Sequence, residues 1–321
     1  MTIVVKIGGG AGVVTATLVK EIAQCVAGGQ QIVVVHGASD LTNELSERLG
    51  YPARMITSPS GMVSRYTNGE TLRIYAMAAA GEINTELVAS LQQQGVNALG
   101  LTGVDGKLLQ ARRKSVVRSV APDGRVQILR DDYTGQVELV NDALLILLLN
   151  TGYTPVIAPL ALSHEGERLN VDGDRAAAAI AAALHADALI IMTNVPGLLS
   201  NVEDTATLIR TIPAEHLADY MEYARGRMRK KLLGAQEALQ GGVPRVCIGS
   251  ASLFEVLRGS GTTIIGACGE VHEGCYAPAA GGHKGPLSTT SPPPPLRKME
   301  GHPIERYPIE MKGHPIERNL I

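Results

Sequence analysis

The residues best equipped for chemistry in this chain are charged groups set against very small ones. Lys6 lies in an apolar run, Val4-Val5-Lys6-Ile7, that opens into Gly8-Gly9-Gly10. A charge near the end of a buried strand costs free energy unless a partner neutralises it. Glycines let backbone N–H groups approach an anion with no Cβ in the way. A lysine and bare amides at a strand's C-terminal end point to a phosphate site, because open α/β sheets hold their ligands there. The common phosphate motifs do not fit. A P-loop lysine follows its glycines, whereas Lys6 precedes them, and a dinucleotide fingerprint started at Gly8 meets Val13 where its third glycine belongs. An ordinary strand-to-helix turn with a snorkelling lysine is the plain alternative.

Further along, His36-Gly37-Ala38-Ser39-Asp40 repeats the same grammar of strand, small residues and helix. Two such loops at one sheet edge can touch one phosphate. His36 reads first as a core histidine bonded to backbone, and second as an acid or base. Asp174 stands at the start of an alanine-rich helix, where a carboxylate caps free amides and suits the dipole. It is either that helix's N-cap or the charge organiser of a site. Arg225, Arg227, Arg229, Lys230 and Lys231 crowd the first turns of another helix, where they repel one another and oppose its dipole. An anionic ligand or partner relieves that. Arg112, Arg113, Lys114, Arg118 and Arg125 lie in a β-rich stretch, and on spacing alone they read as a solvated face.

The elements that carry these groups alternate as strand and helix. Gln31–Val35 is a second buried strand, and Thr15–Ala27 a helix closed by Gly28-Gly29. Residues 51–68, with Pro52, Pro59 and Gly61, form an extended hairpin or lid-like loop ending in Ser64-Arg65-Tyr66-Thr67-Asn68. Glu70–Leu91 reads as one long helix, Val96–Leu101 as a strand and Pro122-Asp123-Gly124 as a hairpin turn. Val140–Asn150 reads as a helix, Thr154–Pro159 and Ala188–Thr193 as strands, and Tyr220–Gln240 as helical. Val243–Gly249 is a last inner strand, and Thr262–Ile265 an edge strand.

Composition sets the outer bounds. The chain has 321 residues, 45% hydrophobic and 19% charged, with a formal net charge of −2. It can bury a full core as one large or two lobed domains. Near-neutral charge argues against nucleic-acid binding, no apolar run reaches the length of a membrane span, and the start is a strand without a signal-peptide pattern. Four cysteines and no disulfide framework fit a reducing cytoplasm. Residues 266–321 turn to Gly, Pro, His and Ser, repeat Gly-His-Pro-Ile-Glu-Arg, and read as disordered. Cys268, His272, Cys275 and His283 match no familiar metal spacing, so no metal site is assigned.

Six motifs in order make the chain resemble the amino-acid kinase family, in its acetylglutamate kinase branch. They are Lys6-Ile7-Gly8-Gly9, His36-Gly37-Ala38-Ser39, Ser64-Arg65-Tyr66-Thr67, Asn170-Val171-Asp172-Gly173-Asp174, Thr193-Asn194-Val195-Pro196-Gly197-Leu198 and Gly226-Arg227-Met228-Arg229-Lys230-Lys231. The resemblance spans residues 2 to about 265. It implies an α/β fold, a three-layer α/β/α sandwich with a mainly parallel central sheet. Residues 1–160 would be a substrate lobe and 161–265 an ATP lobe. The implied reaction is phosphorylation of a carboxylate by ATP, with Mg²⁺, to an acyl phosphate. By the same resemblance Lys6 and Lys231 flank the transferring group and Asp174 holds both. Amides of Gly8, Gly9, Gly37 and Ala38 cradle its oxygens. Arg65, as a bidentate fork, and Asn170 hold the acceptor, and Thr193, Asn194, Val195, Gly197 and Leu198 line the nucleotide pocket.

Acetylglutamate kinases usually carry three glycines after the histidine and a Gly-x-Arg-Val-Thr-type segment. This chain has Gly37-Ala38-Ser39, a segment ending Met62-Val63-Ser64-Arg65-Tyr66-Thr67, and Gln110-Ala111-Arg112-Arg113-Lys114. These are similar to the branch that acts on aminoadipate or glutamate linked to LysW, a small acidic amino-group carrier protein, in lysine and sometimes arginine biosynthesis. In that reading Arg112, Arg113, Lys114 and Arg118 form a cationic docking surface. A kinase for free N-acetylglutamate is the runner-up, and a non-catalytic amino-acid sensor the competing class. The expected compartment is the cytoplasm, as the cysteines indicate, and a homodimer is expected, although the sequence leaves the oligomeric state open. No helix precedes the first strand, so arginine feedback is not expected.

Overall fold

The computed structural model describes residues 1–266 apart from 11, 14 and 122. β1 (Thr2–Ile7) passes through the glycine loop into α1 (Ala16–Ala27), and β2 (Gln31–His36) into α2 (Ser39–Arg48). A hairpin of β3 (Met55–Thr57) and β4 (Val63–Arg65) precedes α3 (Gly69–Ala76) and α4 (Asn84–Gln93). After β5 (Ala98–Thr102) come β6 (Leu109–Arg113), β7 (Val117–Val120), β8 (Val126–Leu129) and β9 (Thr134–Val140). α5 (Asp142–Asn150), β10 (Thr154–Ala158), β11 (Leu160–Leu162) and β12 (Arg168–Val171) lead to α6 (Gly173–Ala183) and β13 (Ala188–Met192). The described residues close with β14 (Thr211–Pro213), α7 (Gly226–Gln240), β15 (Arg245–Gly249), α8 (Leu253–Leu257) and β16 (Thr262–Ile265).

The main sheet has eight strands in the order β14-β16-β15-β13-β1-β2-β10-β5, parallel except where β15 meets β16. Its central strands are buried on both faces, which is why they read as unbroken apolar runs. Alternation along β1 sends Ile3, Val5 and Ile7 against α1, α4 and α8, and turns Val4 toward α6 and α7. The sheet is therefore the middle layer of an α/β/α sandwich.

Two smaller sheets stand off it. β4-β3-β7-β8 form a four-stranded sheet, and β11-β12-β9-β6 close into a small barrel. The cation-rich stretch read as one β face is thus divided, with Arg112 and Arg113 on β6 and Arg118 on β7. Three local expectations are corrected. β16 is an inner strand because β14 pairs along its outer side. Val140 continues β9, and α5 begins after Asn141, whose side chain caps it. The long helix is interrupted by a π segment, Met77–Ile83, which admits an extra residue per turn and rotates Asn84 into the core.

Candidate active site

Lys6, Asp174 and Lys231 converge at the end of the sheet's central strand. The register sets Lys6 between Ile191 of β13 and Val35 of β2, with its side chain on the α6–α7 face. α6 is capped by Asp172, whose Oδ1 accepts from the N–H groups of Asp174 (3.0 Å) and Arg175 (3.2 Å). The cap that the sequence offered to Asp174 is therefore made by Asp172, which leaves the Asp174 carboxylate free to face inward. Its Oδ1 is 2.6 Å from Lys6 Nζ, and its Oδ2 is 3.2 Å from Lys231 Nζ. The three residues are only 6%, 6% and 7% exposed.

Burial pushes the Asp174 carboxyl up, but the two ammonium groups outweigh that and hold it below the usual carboxylate range. Burial, with Lys6 adding to it, brings Lys231 down to about 8 against the opposing pull of Asp174. Two cations sharing one carboxylate leave a surplus positive charge in a dry place. Such a site stabilises an anion more strongly than the same charges do in water.

The two small-residue loops meet directly. A Cβ on Gly9 would lie 2.5 Å from Ala38 N and 2.6 Å from the Gly37 carbonyl carbon, so only glycine fits there. Asp40 N–H also donates to Gly9 O at 3.1 Å. Two of the four amides read as phosphate donors are already spent. Gly8 N–H donates to Met192 O (3.0 Å) and Gly37 N–H to Ile7 O (2.9 Å), each closing the turn off its own strand. The N–H groups of Gly9 and Ala38 have no acceptor among the described residues.

His36 is fully buried and keeps the core role. Its Nε2 is 3.0 Å from Asn84 Nδ2, which also donates to Val156 O at 2.9 Å. Burial drops its pKa to about 4, so the ring is neutral and ties α4 to the sheet.

Arg65, at the end of β4, donates from Nη2 to Ser39 O (2.8 Å) and Asn43 Oδ1 (2.6 Å). Both bidentate geometries of a guanidinium use Nη2, and its two hydrogens are committed here. The fork read from the sequence is thus closed in this conformation, although Nε is buried without a partner among the described residues. Burial lowers the Arg65 pKa, and Arg227 adds to that while Tyr75 and Asp40 oppose it. Asn170 on β12 donates from Nδ2 to Thr67 Oγ1 at 3.2 Å.

In the segment after β13, Asn194 and Val195 are exposed, while Leu198 is in the core. Gly197, with φ +152°, packs against Thr262, whose Oγ1 accepts from Leu198 N–H at 2.8 Å. Thr193 lines a polar cavity of about 190 Å³ on the α1 side, together with Thr15, Thr17, Glu21 and Ser250. Leu198 and Gly197 therefore hold the turn in place, and Asn194 and Val195 are the exposed side chains of this segment.

The four proposed docking cations do not share one environment. Arg112 is exposed on β6, 3.1 Å from Glu138, and Arg118 is exposed on β7, whereas Lys114 follows the end of β6 and burial, with Arg175 adding to it, lowers its pKa. Arg113 is only 22% exposed, bonds Glu167 at 2.8 Å and stacks on Tyr133 at 3.8 Å. It is part of the structure and is removed from the docking set. Among the described residues no three His, Cys, Asp or Glu side chains gather as a metal site, and no helix is long and apolar enough to cross a membrane. Cys268, His272, Cys275, His283 and the tail lie outside the described residues. Sequence reasoning gave no role to Asn84 or Asp132, and none to Thr67 beyond its place in a motif, because the burial of these polar residues depends on packing that no local pattern announces.

The model of the amino acid kinase family matches residues 1–250. A LysW-aminoadipate kinase of Deinococcus radiodurans is 48% identical over 266 residues, 82% of this chain and 91% of that protein. Its counterpart in Thermus thermophilus is 46% identical over 268 residues, 82% of this chain and 99% of that protein. Among solved structures, the smu.665 protein of Streptococcus mutans superposes with a TM-score of 0.68 at 27% identity, covering 82% of this chain and 98% of that one.

Proposed function

The chain belongs to the amino acid kinase family, and from that premise we propose that it transfers the γ-phosphoryl group of ATP to the side-chain carboxylate of aminoadipate, or of glutamate, carried on LysW. The names of the similar kinases support the acceptor. The observation that carries the chemistry is the Lys6–Asp174–Lys231 bridge beside the Gly9–Ala38 backbone contact.

A carboxylate is already a nucleophile, so the reaction needs no general base. One acceptor oxygen forms a bond to γ-phosphorus while the bond to the β-phosphate bridging oxygen breaks. ADP leaves with that electron pair, and an acyl phosphate remains. The protein's work is positioning and charge neutralisation. In this reading Lys6 and Lys231 flank the transferring group, Asp174 fixes both ammonium groups, and the amides of Gly9 and Ala38 donate to its oxygens. Mg²⁺ bound with the ATP would supply further charge neutralisation, and among the described residues no carboxylate or histidine cluster gathers to hold it, so the charge work of this chain's own residues falls to Lys6 and Lys231. Asn170 and the unengaged nitrogens of Arg65 hold the acceptor, and Asn194 and Val195 border the nucleotide.

We assign residues 1–160 to the acceptor and 161–265 to the nucleotide. Arg112, Lys114 and Arg118 meet the carrier. A cytoplasmic homodimer completes the reading. The deciding experiment is an ADP-release assay comparing LysW-linked aminoadipate, LysW-linked glutamate and free N-acetylglutamate. Turnover of the free amino acid alone would replace this acceptor with the runner-up.

A further inference from the structure

Asp132, in the turn between β8 and β9, is 1% exposed and forms no ion pair among the described residues. A buried carboxylate of that kind persists only if hydrogen bonds satisfy it. Its Oδ2 accepts from Thr67 N–H at 3.0 Å, and its Oδ1 accepts from Thr134 N–H at 2.8 Å and from the Thr134 hydroxyl. Thr67 stands two residues beyond Arg65 and is fully buried.

Every polar group of Thr67 is held by the same neighbourhood. Its carbonyl accepts from Tyr133 N–H at 2.7 Å. Its hydroxyl accepts from Asn170 Nδ2 and donates to Arg65 O, each at 3.2 Å. Asn170 N–H donates in turn to Tyr133 O at 2.9 Å. Behind this segment Arg113 donates from Nε to Asp132 O at 2.9 Å, stacks on Tyr133, and is anchored by Glu167. The hairpin carrying Arg65 and the strand carrying Asn170 are thus joined through one residue, and Asp132 grips that residue by a charge-assisted bond.

We propose that Asp132 is a positioning residue of the acceptor site, setting the spacing of Arg65 and Asn170 through Thr67 and so the length of acceptor the site takes. This rests on the reading that Arg65 and Asn170 hold the acceptor. Asparagine at position 132 keeps the size but turns an N–H₂ group toward an N–H donor, so the Thr67 or Thr134 bond is lost and the hairpin shifts. A displacement of that kind is felt as a fold-change in acceptor binding with the phosphoryl chemistry intact.

The test uses the full chain and the acceptor the wild type phosphorylates best. Asp132→Asn should raise the acceptor KM about tenfold or more while KM for ATP and kcat change by less than about threefold. The ratio of kcat/KM for six-carbon over five-carbon acceptor should move toward one. Thr67→Val, which keeps the Asp132 bond but cuts the link to Asn170, should give a smaller shift of the same kind, so the idea stays testable if Asp132→Asn folds poorly. A lower Tm with unchanged acceptor KM in both variants overturns the proposal, as does an equal rise in KM for ATP and acceptor. Arg65→Lys is run in parallel. If it leaves the acceptor KM unchanged, the acceptor-site reading falls and this proposal with it. If it raises that KM while the other two variants do not, only the role of Asp132 is lost.

Discussion

Lys6 and Lys231 share one carboxylate: Asp174 reaches the first at 2.6 Å and the second at 3.2 Å, on strand and helix brought together only by the sandwich. Each lysine alone would be a buried charge in search of a partner. Replacing either with Ala should lower kcat by on the order of 10²-fold or more, since each removes charge aimed at the transferring phosphoryl group. ADP release at saturating substrates measures it. Near-native kcat in Lys6→Ala would falsify the assigned phosphoryl site.

Lys231 also predicts a pH profile. Its pKa falls from an ordinary 10.5 to about 8, so its charge is lost as pH rises through 8 in the free enzyme. kcat/KM, which reports the free enzyme, should decline above pH 8, and kcat, measured with anionic ATP bound, should decline at higher pH. Stability moves the other way. Between pH 8 and 10.5 the unfolded chain holds a proton on Lys231 that the folded one has released, so this group's penalty on folding is relieved as pH rises. Lys231→Met should flatten that part of a Tm-against-pH curve.

His36 should act at the acid end. Its folded pKa of about 4 lies below the ordinary 6.5, so the unfolded chain takes up a proton first as pH falls. Stability from this group is complete above 6.5 and is lost progressively toward pH 4. His36→Gln should lessen the drop in Tm across that window without changing the pH dependence of kcat above pH 7. An unchanged Tm profile would mean that the ring protonates within the fold.

Gly9→Ala and Gly10→Ala should part company. A Cβ at Gly9 meets backbone at 2.5–2.7 Å, whereas at Gly10 the nearest atom is the Arg227 guanidinium at 3.8 Å. The first change must pry the two loops apart and should cost about 1–3 kcal/mol of stability along with most activity. The second should leave Tm within about 1 °C, because it makes only ordinary contacts. Calorimetry on both variants separates the cases.

Neutralising Arg112, Lys114 and Arg118 together should raise KM for a LysW-linked acceptor and spare KM for ATP. It should also flatten the salt dependence of kcat/KM, because exposed charges steer encounter over a Debye length of about 8 Å at physiological ionic strength. Arg113→Ala should instead lower Tm, since that side chain is bonded to Glu167 and stacked on Tyr133. No change in either kinetic constant or in salt dependence would sink the docking role.

Much of the fold is legible in the sequence. Apolar runs and glycine punctuation announce a parallel sheet, and the lysine ahead of Gly8 marks the carboxyl end of its central strand as the place to look for a site. The helix from Thr15 and the strands at 31–36 and 188–192 fall where local period and capping put them. Those signals are local, so a linear chain carries them intact. The tertiary structure decided everything that depends on which donor finds which acceptor across the fold. It made Asp172 the cap and freed Asp174, spent the Gly8 and Gly37 amides on neighbouring carbonyls, and turned Nη2 of Arg65 toward α2. It also drew Arg113 inward and made Asp132 and Thr67 a hub. A hydrogen-bonding group commits to the partner that packing brings within about 3 Å, and no spacing along the sequence encodes that distance.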